Sequence, residues 1–248
     1  MEIFMFYENT MTAVFLSRPN RFLAHVLLEG KKIVCHVKNT GRLKELLIPG
    51  VDVIIQHHPD AAACGRKTEY SLIGVSKQTP GGPVWVNIDS QAPNQAAYEW
   101  ITEGKGLPFC PRPQNARREV RYDRSRFDLS FTDGHTPWFM EVKGVTLDVG
   151  QVAMFPDAPT ERGVRHLNEL AQAAADGYGA AVLFVIQMKE IRAFSPNRER
   201  HPEFAEALVR AKENGVHVWA RDCIVTENSM TIDAPVPVLL PAIGETAV

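Results

Sequence analysis

Between residues 126 and 143 apolar and polar positions alternate twice, with a breaker between the two runs. In Arg126-Phe127-Asp128-Leu129-Ser130-Phe131, strand periodicity puts Phe127, Leu129 and Phe131 on one face and Asp128 on the other. Trp138–Lys143 also reads as a strand, with Glu141 and Lys143 on one side. The intervening Thr132-Asp133-Gly134-His135-Thr136-Pro137 is a turn built around Asp-Gly. A hairpin of this kind brings a carboxylate from each strand, and a lysine, into one small volume.

The pattern around the hairpin predicts an α/β sandwich. Asn94–Lys105 reads as a short helix and Glu119–Tyr122 as a first strand. Downstream, Val164, Leu167, Leu170, Ala171 and Ala174 fall at helical spacing over 164–176, closing near Gly177. Ala180–Met188 is a continuous apolar run, as in a strand buried on both faces. Glu203–Asn214 is amphipathic, with Pro202 at its start and Gly215 at its end, and Val216–Ala220 can return as a parallel strand.

The N-terminal part reads as five short strands: Thr12–Leu16, Phe22–Leu28, Lys31–Val37, Val51–Gln56 and Tyr70–Ser76. Glu29-Gly30 is a turn, and 40–47 a short helix ended by Pro49-Gly50. Five strands with one helical piece suit a small Greek-key barrel. The clearest breaker cluster, Gln78–Pro83, sets the predicted division. Residues 1–80 form a barrel, 84–226 an α/β domain, and 227–248 a C-terminal tail.

The hairpin is where chemistry can occur. Magnesium takes oxygen ligands, keeps several waters, and is usually held by one or two carboxylates plus a substrate phosphate. Such an ion activates water and stabilises an in-line displacement at phosphorus, and a nearby ammonium can orient that water. Asp128, Glu141 and Lys143 fit the D…ExK part of the PD-(D/E)XK nuclease pattern, although Phe127 stands where the motif has proline. These three are the candidate catalytic residues. Asp128 and Glu141 are the candidate ligands of Mg2+ or Mn2+, with Glu99 as a further carboxylate and Glu119 its competitor.

Composition sharpens the choice of partner. A net charge of -2 over 248 residues argues against coating nucleic acid by bulk positive charge. The charge is uneven, however. From Arg18 to Glu45 seven lysines and arginines face only Glu29 and Glu45, and from Lys105 to Arg126 seven more face only Glu119 and Asp123. These stretches are either a phosphate-tracking groove or ordinary solvated faces. Cys35, Cys64, Cys110 and Cys223 are widely spaced, with no C-x-x-C pair, as expected of reduced thiols in a cytoplasmic protein. No basic n-region opens the chain, and no apolar run reaches the length of a membrane span.

Three long segments carry a resemblance: Cys35–Gly50 (CHVKNTGRLKELLIPG), Glu141–Leu147 (EVKGVTL) and Phe155–Leu170 (FPDAPTERGVRHLNEL). Together they are similar to the marked segments of the sugar fermentation stimulation protein (SfsA) family, and the likeness runs from about Val14 to Thr226. The resemblance implies an N-terminal OB-like barrel followed by a restriction-endonuclease-like α/β/α domain. It also implies non-specific DNA binding and a link to regulation of sugar (maltose) metabolism. It carries over no settled activity. Two function classes therefore stand: a DNA-binding or regulatory protein with a metal-competent, nuclease-like site, and an active metal-dependent nuclease.

On that basis Arg21, Lys38, Arg42, Arg126, Arg162 and His166 are the candidate nucleic-acid contacts. Asn39-Thr40-Gly41-Arg42 reads equally as a phosphate clamp or as a helix cap beside an exposed arginine. Arg162 and His166 read either as phosphate contacts or as part of a capped surface helix whose arginines pair with Glu161 and Glu169. His57-His58-Pro59-Asp60 reads as loop surface, since adjacent histidines on a strand point opposite ways. The oligomeric state is not encoded in any motif.

Overall fold

The computed structural model describes residues 5–39, 41–103, 107–123 and 125–241. Of the positions singled out above, Thr40 and Lys105 lie outside them, as do Arg124 of the second basic stretch and the end of the 227–248 segment. After a two-residue strand β1 (Met5–Phe6) come β2 (Thr10–Ser17), β3 (Leu23–Leu28), β4 (Lys31–Val37), β5 (Asp52–His57), β6 (Tyr70–Thr79) and β7 (Gly82–Asn87). The sheet order is β4-β3-β2-β5-β6-β7, and a parallel pairing of β4 with β6, from Cys35–Tyr70 to Val37–Leu72, closes five strands into a barrel. The β3–β4 hairpin turns on Glu29 and Gly30, both at positive φ, which matches the twist of the strands. Phe15, Val26, Cys35, Ile55 and Leu72 fill the barrel.

Three expectations are corrected, two of them in this half. Within the 40–47 segment, read above as a short helix, the described residues 41–47 are not helical. Their backbone makes one turn, in which the Leu46 and Leu47 amides both donate to the Leu43 carbonyl, and Leu43 itself has φ 49°, which a helix cannot accommodate. Leu43, Leu46 and Leu47 are buried as a plug on the barrel. The Gln78–Pro83 breaker is a hairpin turn, pairing Thr79 with Gly82, so β7 belongs to the barrel sheet and the division falls after Asn87. The stretch after residue 226 is not wholly a tail, because Ser229–Pro235 is a strand.

The second half is a seven-stranded sheet. Its chain order is α1 (Ala92–Thr102), β8 (Gln114–Tyr122), β9 (Ser125–Thr132), β10 (Pro137–Val145), β11 (Asp148–Val149), β12 (Val152–Phe155), α2 (Glu161–Ala175), β13 (Gly179–Ile186), β14 (Ala193–Pro196), α3 (Pro202–Glu213), β15 (His217–Val225) and β16 (Ser229–Pro235). The strand order is β1-β16-β15-β13-β10-β9-β8, with β10, β13 and β15 parallel and the outer strands antiparallel. The β11, β12 and β14 strands make a small separate sheet. Every residue of β13 is buried. Ala181, Leu183 and Val185 pack with α1, whereas Val182 and Phe184 pack with α2 and α3, so helices cover both faces. The hairpin, the parallel return strand and the helices on either side agree with the sequence reading. No helix among the described residues is long and apolar enough to cross a membrane.

A buried polar cluster joins the two halves. Asp89, just after β7, accepts from Lys38 Nζ at 3.1 Å, from Tyr7 Oη at 3.3 Å and from the Gln91 amide at 3.0 Å. Asn87 donates to Tyr7 Oη at 3.0 Å, and Gln187 donates to the Asn87 carbonyl at 2.9 Å. Burial, and then the charge of Asp89, push the Tyr7 phenol far up. Each buried group here has a partner, as a satisfied network requires.

Candidate metal and nucleic-acid site

The β9–β10 ladder sets the site by where it stops. Its last pair is Leu129 with Met140. At the next position the Asp128 carboxylate, not a backbone carbonyl, takes the Val142 amide at 2.7 Å. Leu129 and Phe131 pack beneath α1, but Phe127 joins Tyr122 and Phe139 in the larger core, so the three residues of the apolar alternation are all buried yet divided between two clusters. Two glycines bring the helices in. A Cβ on Gly144 would meet Pro93 and Gln187 at 2.6 Å, and one on Gly163 would meet Thr160 at 2.8 Å and Phe204 at 3.1 Å. Thr160 caps α2 by accepting the Gly163 amide at 3.1 Å.

Three side chains converge on the two carboxylates, and a fourth backs one of them. Asn94, in the first turn of α1, donates to Asp128 Oδ1 at 2.8 Å. Glu141, 3% exposed, accepts at Oε1 from Lys143 Nζ at 2.5 Å and from His166 Nδ1. His166 Nε2 accepts from Arg162 Nε at 3.3 Å. The other oxygen of Glu141, Oε2, is buried and has no hydrogen-bond partner among the described residues.

The electrostatics are opposed. Burial first, and then the charge of Glu141, push the Asp128 carboxyl up to about 6, against the pull of the Val142 amide, Lys143 and Asn94. Glu141 moves the other way. Burial is its largest single influence and acts upward, but hydrogen bonds and charge from His166 and Lys143 together hold it below its usual range. Among the described residues no three His, Cys, Asp or Glu converge into a ready-made cage. Two carboxylates that leave the rest of the shell to water and phosphate suit magnesium or manganese rather than structural zinc.

The remaining candidates are distributed differently from expectation. Glu99 is not at this site. It takes Gln95 Nε2 at 2.5 Å and lies beside Met230, Thr231 and Ile232 of β16, five residues along α1 from Asn94 and turned toward another strand. Glu119, its competitor, pairs with Arg126 at 2.7 Å on the exposed edge strand. Lys38 is tied into the Asp89 cluster. His166 is buried with both ring nitrogens engaged, so it is not a free phosphate contact. Arg162 is exposed, with its Nε directed to His166. His57 ends β5 and stacks on Tyr70 at 4.9 Å, and His58 bonds the buried Ser71 at 3.0 Å, so the pair is half-buried at a strand end rather than loop surface. All four cysteines are free.

Arg21 and Arg42 remain exposed on the barrel side. Arg21 lies 4.7 Å over the Phe22 ring. Arg42 borders a cleft of about 580 Å³ between the barrel and the second domain, with Lys44 and Arg200 also on its walls. Asn39 accepts the Gly41 amide at 2.7 Å, a local turn rather than a helix cap. A second hollow, about 480 Å³, lies on the barrel where Asn20, Phe22 and His36 meet Arg66, Lys67 and Thr68. Asn94 and the Phe22–Lys67 face escaped the sequence reading. Nothing local marks Asn94, and Phe22 meets Lys67 only because β3 and β4 lie beside the loop that enters β6.

This arrangement defines a class: an OB-type barrel joined to a restriction-endonuclease-like domain with D…ExK at its central hairpin. Two family models match, the SfsA N-terminal OB domain over residues 16–88 and the sugar fermentation stimulation protein RE domain over 91–229. A sugar fermentation stimulation protein homolog from Desulfitobacterium hafniense (strain Y51) is 50% identical over 226 residues, covering 91% of this chain and 94% of its own. One from Clostridium beijerinckii is 48% identical over 236 residues, covering 95% and 100%. The solved structure of Pyrococcus furiosus SfsA in complex with Ca2+ aligns with TM-score 0.81 and 29% identity, over 96% of this chain and 98% of that one. The chain belongs to the sugar fermentation stimulation protein (SfsA) family.

Proposed function

We propose that the protein binds DNA and holds one Mg2+ or Mn2+ ion between Asp128 and Glu141. The observation that carries this reading is the pairing of Glu141 Oε2, buried and without a partner, with a neighbouring carboxyl that burial and Glu141 push up to about 6. A divalent cation relieves both conditions together, since it supplies the missing partner and offsets the repulsion. The Ca2+ bound to the Pyrococcus relative is a hard cation with the same taste for oxygen ligands. DNA contacts are assigned to the barrel hollow, where Arg66 and Lys67 can meet phosphates and Phe22 can stack on a base, and to Arg42 and Lys44 at the cleft.

Lys143 favours a second reading, hydrolysis of DNA phosphodiesters. Its side chain is 16% exposed and its ammonium reaches the same carboxylate, in place to orient a water or steady charge on a phosphate. The ion would supply Lewis acidity and a more acidic bound water. Asp128 and Glu141 fix its place, with Asn94 and the Val142 amide holding Asp128 in orientation.

The test is an anisotropy and cleavage assay on labelled single- and double-stranded DNA with Mg2+ or Mn2+, using wild type, Asp128→Ala and Lys143→Ala. Metal-dependent cleavage lost in both variants establishes the hydrolytic reading. Binding by every variant without cleavage leaves a DNA-binding protein on a nuclease scaffold. Absence of DNA binding by wild type overturns the proposal.

A further inference from the structure

We infer that His166 is a positioning residue: it grips Glu141 by Oε1 and thereby leaves Oε2 directed at the cation. The inference rests on the reading of Asp128 and Glu141 as metal ligands. Arg162 Nε can only donate, so the His166 Nε2 that it contacts must be an accepting lone pair. The ring proton therefore sits on Nδ1 and is donated to Glu141 Oε1. Glu141, an acceptor only, requires the same tautomer, and Arg162 reinforces it from the far side of the ring.

Lys143 bonds the same oxygen, but its flexible stem is partly exposed, and it is the group that hydrolysis would turn toward substrate. When Lys143 moves, His166 is the side chain that still orients Glu141. The ring is 3% exposed on a helix whose start is fixed by the Thr160 cap and by the close packing of Gly163 on Phe204. Arg162 and His166 are four residues apart on that helix, so they share a face. Partners of this kind typically change metal affinity by about 10- to 100-fold when removed.

The experiment measures Mn2+ alone, by the paramagnetic resonance signal of the free aqueous ion, in wild type and in His166→Asn, His166→Gln, His166→Ala and Arg162→Leu. The Asn amide nitrogen falls near the Nδ1 position, whereas the Gln amide nitrogen falls near Nε2. His166→Asn is expected to stay within about 3-fold of wild type, with Gln and Ala weakened about 10- to 100-fold. Arg162→Leu, at an exposed position, is expected to weaken binding by no more than a few-fold, with the ring proton still on Nδ1 in nitrogen-15 spectra because Glu141 accepts it. Equal loss in all three His166 variants, no loss in any, or an Nε2–H ring in wild type overturns the inference while wild type still binds Mn2+. If wild type binds no Mn2+, the metal site itself fails and the inference falls with it.

Discussion

Two of the buried clusters of polar side chains among the described residues are built on opposite terms. Around Asp89 each carboxylate oxygen has a donor, and Tyr7, Asn87, Lys38 and Gln187 close the network between barrel and sheet. Around Asp128 and Glu141 two carboxylates crowd each other, one is pushed toward protonation, and one oxygen has no partner among the described residues. A satisfied cluster holds parts together; an unsatisfied one is strained until something charged arrives. The first joins the domains, and the second is where we propose that a cation binds.

The largest effect that separates them is on folding. Asp89→Ala strands Lys38, Tyr7 and the Gln91 amide, and should cost about 3 kcal/mol in chemical denaturation while leaving metal affinity unchanged. A matching loss of metal affinity would show that the two clusters are one unit.

Nearly as large is a pH effect confined to the second cluster. The folded protein raises Asp128 from its ordinary 3.8 to about 6, so the native state keeps a proton that the unfolded chain releases. The stabilisation this group gives is present below pH 4 and is lost as pH rises through 6, about 3 kcal/mol in all. Glu141, held below its usual range, acts in the opposite sense, so the quantity to measure is the difference between wild type and Asp128→Asn in metal-free melts at pH 4 and 8. Wild type should lose stability relative to the variant across that range, and added Mg2+ should restore it at pH 8 in wild type alone.

On the barrel the effects are smaller. Phe22→Ala and the pair Arg66→Ala with Lys67→Ala should each weaken single-stranded DNA binding by about 1 kcal/mol, with the double charge change also lowering the salt dependence. The smallest predicted change is none: Glu99→Gln should leave Mn2+ affinity within about 2-fold, because Glu99 faces β16 and not Asp128.

The same contrast explains what was readable in the chain. Short-range periodicity gave the hairpin, the buried β13, α2 and α3, and with them Asp128, Glu141 and Lys143 on one feature. What escaped depends on distant partners. Gln78–Pro83 carries the residues of a linker but makes a hairpin, because β7 finds its ladder along β6. The 40–47 segment has helical spacing, yet its leucines are drawn down as a plug and Leu43 adopts positive φ. Ser229–Pro235 is a strand because β15 and β1 flank it. Glu99 had the right chemistry for a ligand but sits about a turn and a half along α1 from Asn94. His166 looked like a surface contact, and its role appears only where α2 crosses β10.

The central claim is that the crowded carboxylates form a cation site, and calorimetric titration of Mg2+ into wild type and Glu141→Gln at pH 8 tests it most directly. The account predicts one ion per chain in wild type and a loss of about 100-fold or more in the variant, which keeps the side-chain shape but gives up the charge and an acceptor oxygen. Equal affinity in the two proteins, or no binding by wild type, would contradict it.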